Sequence, residues 1–142
     1  MTDPARDLEQ ALAAMTWREE PGRFALVGFD SPALADDLLA LTECGQITRE
    51  GGETSLLIRA EELTGVLERR PDARVERDLC WYRFEAAMGW EVVGFLARVT
   101  THMAEAGIPV GAVCGFSRDH LFIGAAHRER AREVLAGLFP ED

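Results

Sequence analysis

One segment carries the clearest pattern for predicting the fold, GWEVVGFLARVTTHMAEAGIPVGAVCGFSRDHLFI, residues 89–123. Its first part carries apolar residues at helical spacing and ends at Gly107, which predicts a helix over residues 91–107. Two apolar stretches, 108–116 and 120–125, flank a polar turn and predict a β-hairpin. The segment therefore reads as a helix followed by two paired strands. The residues expected on the apolar side of the helix are Val92, Phe95, Leu96, Val99 and Met103.

The flanking sequence repeats this order of elements in both halves of the chain. A strand precedes each helix, a hairpin follows it, and a further helix closes each half, so each half reads β-α-β-β-α. This order is typical of the α+β class, with tandem ferredoxin-like units whose sheets are antiparallel and whose helices pack on one face. The remaining predicted elements are strands at 23–29 and 79–88, a helix at 30–45, a hairpin at 46–50 and 53–60, and helices at 61–70 and 127–139.

The repeat predicts three parts of the chain, an N-terminal helical extension at 1–20, a first unit at 21–72 and a second unit at 73–142. Asp3 is expected to cap the helix of the extension, and the polar stretch 71–78 is expected to link the units. Each unit lacks a fourth strand, and an unpaired sheet edge favours association. Either exchange of strands between the halves or edge pairing in a homodimer would supply the missing strand. The sequence leaves both open.

Composition and charge exclude several classes of protein. The 142 residues are 47% hydrophobic and carry a formal charge of −10. An acidic surface repels phosphate backbones, so nucleic acid is not an expected partner. No apolar run reaches the length of a membrane span, and acids stand where a secretory signal has its basic region. Three scattered cysteines favour a reducing compartment, so we expect a cytoplasmic protein that does not bind membranes.

Motifs for catalysis and cofactor binding are missing from the sequence. There is no phosphate-binding glycine loop, no nucleophile elbow and no paired histidine or cysteine motif for a metal, so neither cofactor nor metal is expected. A small enzyme would have to use His120 together with Cys114 or Asp119. Whether Cys114 and His120 share a face depends on the length of the hairpin turn, which the sequence leaves open. We therefore predict a protein that is not an enzyme.

The helix ending AEAGI, residues 104–108, and the hairpin turn with Asp119 and His120 resemble the ACT-domain superfamily, and specifically the small bacterial tandem-ACT proteins. The first half is similar at ITREGGETSLLI, residues 47–58, where the second strand begins with an acid and a serine. The resemblance covers residues 23–138. It implies two ACT-like units that bind a free amino acid or a similar small molecule between them and regulate a partner without catalysis.

The resemblance and the chemistry of the residues together predict a ligand site. The N-terminus of the helix favours a carboxylate, Gly89 has no side chain to block it, and Gly94 would let the helix pack closely. Asp119 matches the acidic position of the family's turn and is expected to accept the ligand's ammonium group. The ordinary alternatives are a helix start complemented by Glu91 and a turn aspartate that binds its own backbone. The predicted ligand-binding residues are Gly89, Trp90, Glu91, Val92, Gly94, Phe116, Asp119 and His120, with Glu53, Thr54 and Ser55 as the opposite wall.

Two functions of different classes follow from these features. The leading hypothesis is a regulatory amino-acid sensor. The alternative is a protein-interaction module with a degenerate, closed pocket, which would form a dimer or bind a protein partner through open sheet edges and aromatic residues. Gly111, Val113 and Gly115 leave one face of a hairpin strand nearly bare, which is typical of close approach by either a ligand or a tightly packed helix.

Overall fold

A computed structural model describes residues 4–41 and 44–142 of the protein. Five α-helices and six strands lie within these ranges. The helices are α1 (Pro4–Ala14), α2 (Ala35–Leu39), α3 (Leu63–Arg69), α4 (Phe95–Glu105) and α5 (Arg128–Leu138). The strands are β1 (Trp17–Phe29), β2 (Gln46–Glu50), β3 (Glu53–Arg59), β4 (Arg74–Phe84), β5 (Gly111–Cys114) and β6 (Asp119–Gly124).

The six strands are hydrogen-bonded in the order β2–β3–β1–β4–β6–β5, and the pairs β1–β3, β2–β3 and β5–β6 are antiparallel. The chain forms two compact units. The first comprises residues 21–79, and the second is built from the chain up to residue 20 and from residue 80 onward. Because β1 and β4 each contribute residues to both units, the first unit has the strand order β2–β3–β1–β4 and the second β1–β4–β6–β5. Each unit thus contains four strands.

The core of the second unit lies between its strands and the helices α1, α4 and α5. Alternate residues of β4 point into it, because successive side chains of a strand face opposite sides. The apolar stripe predicted for α4 packs here, with Phe95, Val99 and Met103 buried and Val92 and Leu96 partly buried. The α+β class with helices on one face is thus confirmed. The core residues contributed by β4 are Cys80, Tyr82 and Phe84.

The first unit confirms the hairpin predicted at residues 46–60. β2 and β3 pair in register from Gln46 opposite Leu57 to Glu50 opposite Glu53, so the two glycines between them form the turn. The alternating side chains place Leu56 and Ile58 in a core with residues of β1 and α3.

Two predictions for the first unit were wrong. The stretch 71–78, expected as a polar link, begins β4 at Arg74, where Val75 packs against the core and most of the other residues are exposed. Pairing with a neighbouring strand satisfies the backbone hydrogen-bonding groups whatever the side chains are. The charged side chains of this stretch therefore gave no sign of a strand. The helix expected at 30–45 is reduced to the five residues of α2. The predicted Asp3 cap, like residues 42 and 43 of that helix, lies outside the described residues.

Candidate small-molecule site

A cavity of about 360 Å³ opens in the second unit at the N-terminus of α4. One wall is the loop that precedes α4, residues 85–94, and the other is the turn between β5 and β6, residues 115–118. Six of the predicted ligand-binding residues line it, namely Gly89, Trp90, Val92, Gly94, Phe116 and Asp119.

Two hydrogen bonds to backbone carbonyl groups join the two walls of the cavity. The amide N–H of Met88 donates to the carbonyl oxygen of Ser117 at 3.2 Å, and Nε of Arg118 donates to the carbonyl oxygen of Glu85 at 3.0 Å. Within the turn, the amide N–H of Gly115 donates to the carbonyl oxygen of Arg118 at 2.8 Å. Sequence reasoning did not assign Met88 or Arg118 to the site, because no local pattern signals a hydrogen bond to a distant backbone group.

The start of α4 is set by Gly94. Its φ of +94° is left-handed, which glycine adopts freely and which does not continue a right-handed helix, so α4 begins at Phe95 and not at residue 91 as predicted. The amide N–H of Arg98 donates to the Gly94 carbonyl as the first helical bond, at 3.0 Å. The first-turn residues 95–97 line the cavity, and amides at this position have no partner within the helix. Their partial positive charge faces an anion favourably.

Glu91, predicted to contact the ligand, does not line the cavity. Its carboxylate folds back over Gly89, where an added Cβ would collide with it. A short turn holds this conformation, since the amide N–H of Val92 donates to the Gly89 carbonyl at 3.2 Å. The cavity is lined by the neighbours of Glu91 and not by Glu91 itself.

Two aromatic side chains at the cavity are almost fully exposed. Trp90 on the loop is 91% exposed, and Phe116 on the hairpin turn is fully exposed. Both line the cavity. The cavity therefore has an apolar rim that the protein itself leaves uncovered.

His120 packs within the second unit and does not line the cavity. Its Nδ1 accepts a hydrogen bond of 3.0 Å from the indole N–H of Trp81, and the two rings meet edge to face. Burial, and next the charge of Arg83, lower the pKa of His120 below its usual value, whereas Asp119 and Glu20 oppose this effect. The lowered pKa favours the neutral imidazole at neutral pH, and because Nδ1 accepts the Trp81 hydrogen bond, the neutral ring carries its proton on Nε2.

The register of β5 and β6 settles whether Cys114 and His120 can act as a pair. Cys114 lies opposite Asp119, and Val113 lies opposite His120. Because alternate residues of a strand face opposite sides, Cys114 and His120 project from different faces. The nucleophilic pair that a three-residue turn would have created does not form. The close approach expected at Gly115 is made by His120, because Nε2 of His120 lies 3.2 Å from the position of a Cβ added to Gly115.

The residues predicted as the opposite wall lie on β3 of the first unit. Thr54 is fully buried and its hydroxyl donates to the Ser31 carbonyl at 2.6 Å, while the carboxylate of Glu53 pairs with Arg74 at 2.6 Å. Ser55 lies beside Glu53, with 3.5 Å between its hydroxyl and that carboxylate. Their contact with a ligand stays a prediction.

Among the described residues, no group of three or more histidine, cysteine, aspartate or glutamate side chains is placed to hold a metal ion. None of the helices in the described ranges has the length and apolar character to cross a membrane.

The fold is of the ACT type, and solved structures share it. No protein-family model matches the sequence, and a comparison with curated proteins finds no significant match. A protein from Agobacterium tumefaciens is similar at 19% identity over 89% of this chain and 90% of its own, with a TM-score of 0.74. A Vibrio cholerae protein of unknown function, described as a possible transport protein, is similar at 21% identity over 96% and 98% of the two chains, with a TM-score of 0.72.

The regulatory subunit of aspartate kinase from Thermus thermophilus, in its ligand-free form, is similar at 16% identity over 88% of this chain and 96% of its own, with a TM-score of 0.63. At such identities the likeness establishes the fold. The ACT-type fold that the resemblance implied is thereby confirmed.

Proposed function

We propose that this protein is a non-catalytic regulatory protein that binds a free amino acid, or a closely related metabolite, in the cavity of its second unit. One observation carries the proposal. Asp119 and the first turn of α4 line the same cavity. A carboxylate accepts hydrogen bonds from an ammonium group, and a helix N-terminus favours a carboxylate. Asp119 and the start of α4 are therefore complementary to the ammonium and carboxylate groups of an amino acid.

The comparisons support a regulatory role. The regulatory subunit of an aspartate kinase has this fold along nearly its whole length. By analogy, a ligand in the cavity would alter how this protein contacts a second copy or a partner protein in the cytoplasm. The opposite faces of Cys114 and His120 favour binding over catalysis, because no nucleophile stands beside a base at this turn.

Thermal unfolding in the presence of each of the free amino acids and of closely related metabolites tests the proposal. A ligand at about 100 times its dissociation constant adds roughly 2.7 kcal/mol to the free energy of unfolding. For a chain of this length that is a rise in melting temperature of roughly 5 to 10 °C. Asp119→Asn should abolish most of the rise, whereas Asp72→Asn, an exposed acid of the first unit, should leave it unchanged. A flat panel contradicts the proposal.

A second candidate function, a protein-interaction module, is favoured by an exposed leucine surface in the first unit. Leu34, Leu38 and Leu39 are between half and three-quarters exposed at α2. Large apolar side chains grouped on a surface are typical of an interface. The open cavity of the second unit does not match the closed pocket of this alternative. Light scattering separates the functions, because a module of this kind self-associates, or binds its partner, without any amino acid.

A further inference from the structure

We infer that the cavity selects an amino acid with an aromatic or large aliphatic side chain. The inference rests on the proposed function and names the class of ligand that the same site takes. Its basis is the uncovered apolar rim formed by Trp90 and Phe116.

The exposure of these two rings is unfavourable in the free protein. Apolar surface in contact with water costs free energy in proportion to its area, and aromatic side chains present the largest areas. Trp90 stands on the loop wall and Phe116 on the turn wall of the cavity, so a ligand between the walls meets both. A ligand with a large apolar side chain would remove their surface from water. A ligand with a small polar side chain would leave most of it exposed.

The rest of the lining agrees with the rim. Met88, Val92 and Leu96 add apolar side chains from the loop and from α4. Charged side chains come from the hairpin alone, as Arg118 and Asp119, and Arg118 already donates to the Glu85 carbonyl. With Asp119 assigned to the ammonium group, a polar ligand side chain would find few partners on the loop wall.

The volume of the cavity and the charge of the protein further restrict the class of ligand. A volume of about 360 Å³ lies near the lower end of the range for small-molecule pockets, which run from roughly 300 to 1,000 Å³. It suits a single amino acid better than a nucleotide or a peptide. The formal charge of −10 creates a field that opposes acidic amino acids. A neutral, apolar amino acid meets all of these conditions.

Calorimetric titration of the purified protein with individual amino acids tests the inference. L-phenylalanine and L-leucine should bind roughly ten to a hundred times more tightly than L-alanine, the factor that burial of one large apolar side chain contributes. L-serine, L-lysine and L-aspartate should bind no better than L-alanine. L-phenylalanine should also shift the tryptophan emission to shorter wavelength, because Trp90 is the exposed tryptophan while Trp17 and Trp81 are 1% and 7% exposed.

Matched variants tie the selectivity to the rim. Trp90→Ser and Phe116→Ser should each reduce the ratio of the phenylalanine and alanine affinities several-fold, whereas Val93→Ser should leave the ratio unchanged. Val93 is 63% exposed on the same loop but does not line the cavity. Because all three side chains are exposed, these changes leave folding nearly unaffected.

The outcomes that overturn the inference are distinct from those that overturn the proposed function. Equal or tighter binding of serine, alanine, lysine or aspartate overturns the apolar selectivity and leaves an amino-acid sensor. An unchanged ratio in Trp90→Ser and Phe116→Ser also overturns it. Binding of 3-phenylpropionate as tightly as phenylalanine would show that the ammonium group is not recognised. If no amino acid binds, and Trp90→Ser abolishes self-association, both proposals fail and the rim is a protein interface.

Discussion

The indole N–H of Trp81 donates a hydrogen bond to Nδ1 of His120, with 3.0 Å between the two nitrogens. Trp81 lies on β4 and His120 on β6, which are neighbours in the sheet of the second unit. The bond orients the residue next to Asp119, which lines the cavity. A side chain that the sequence suggested as a ligand contact therefore holds the strand that carries the candidate site.

Protonation of His120 should destabilise the protein. Imidazolium cannot accept the Trp81 hydrogen bond, and its charge would be partly buried near Arg83. Because the folded-state pKa is below the unfolded value of about 6.5, the contribution of His120 is fully present above pH 6.5 and is lost as the pH falls through the folded pKa. Urea unfolding between pH 8 and pH 5 measures this loss.

The loss should be smaller in His120→Gln, which does not titrate. His102→Gln provides the control, because His102 lies on α4, where its ring contacts the Arg98 carbonyl of the same helix and takes no part in the Trp81–His120 bond. Identical pH dependence in the parent protein and His120→Gln would contradict this role of the Trp81–His120 pair.

Asp37→Asn should destabilise the first unit by about 3 kcal/mol, the cost of removing one partner from a buried ion pair. The Asp37 carboxylate is fully buried, accepts the Leu34 amide N–H at 2.8 Å and pairs with Arg69 at 3.0 Å and Arg70 at 2.9 Å. Burial alone would raise the pKa of Asp37, but the Leu34 hydrogen bond and the two arginines outweigh it and lower the pKa. Chemical denaturation gives the difference, and Asp36→Asn, on the exposed side of α2, should change it by less than about 0.5 kcal/mol.

Gly115→Ala should lower the free energy of unfolding by about 1 kcal/mol, the cost of a modest overpacking. The added Cβ would lie 3.2 Å from Nε2 of His120 and 3.3 Å from the Arg118 carbonyl oxygen, and the Trp81 hydrogen bond restricts how far the imidazole can move. Gly52→Ala is the matched control, since nothing lies within 4 Å of its added Cβ. A neutral Gly115→Ala in denaturant titrations would show that the turn can adjust.

Gly94→Ala should cost about 1 to 2 kcal/mol, because a side chain disfavours the left-handed φ of +94° that precedes α4. The added Cβ would also lie 3.4 Å from Leu8 of α1, an ordinary contact, so the backbone accounts for most of the cost. Gly137→Ala within α5 should instead be neutral or stabilising by up to about 1 kcal/mol. Thermal unfolding should therefore show a lower melting temperature for Gly94→Ala and an unchanged or higher one for Gly137→Ala, and equal shifts would contradict the role of Gly94.

Part of the candidate site was predictable from local sequence. The loop glycines, Trp90 and Asp119 stand beside a helix start and a hairpin turn, and both features are visible in neighbouring residues. His120 was assigned to the ligand because the direction of its side chain depends on the register of β5 and β6. The turn between these strands spans four residues, 115–118, and no residue type within it indicates that length.

Residue spacing alone predicts the α+β class, the hairpin of β2 and β3, and the apolar stripe of α4, because each of these depends on residues near one another in the chain. Three features are visible only in the folded chain: β4 begins at Arg74, β1 and β4 contribute residues to both units, and the loop before α4 is hydrogen-bonded to the hairpin turn. These features depend on backbone hydrogen bonds between segments far apart in sequence. Because every peptide group can form such bonds, the side chains alone do not specify which segments are joined.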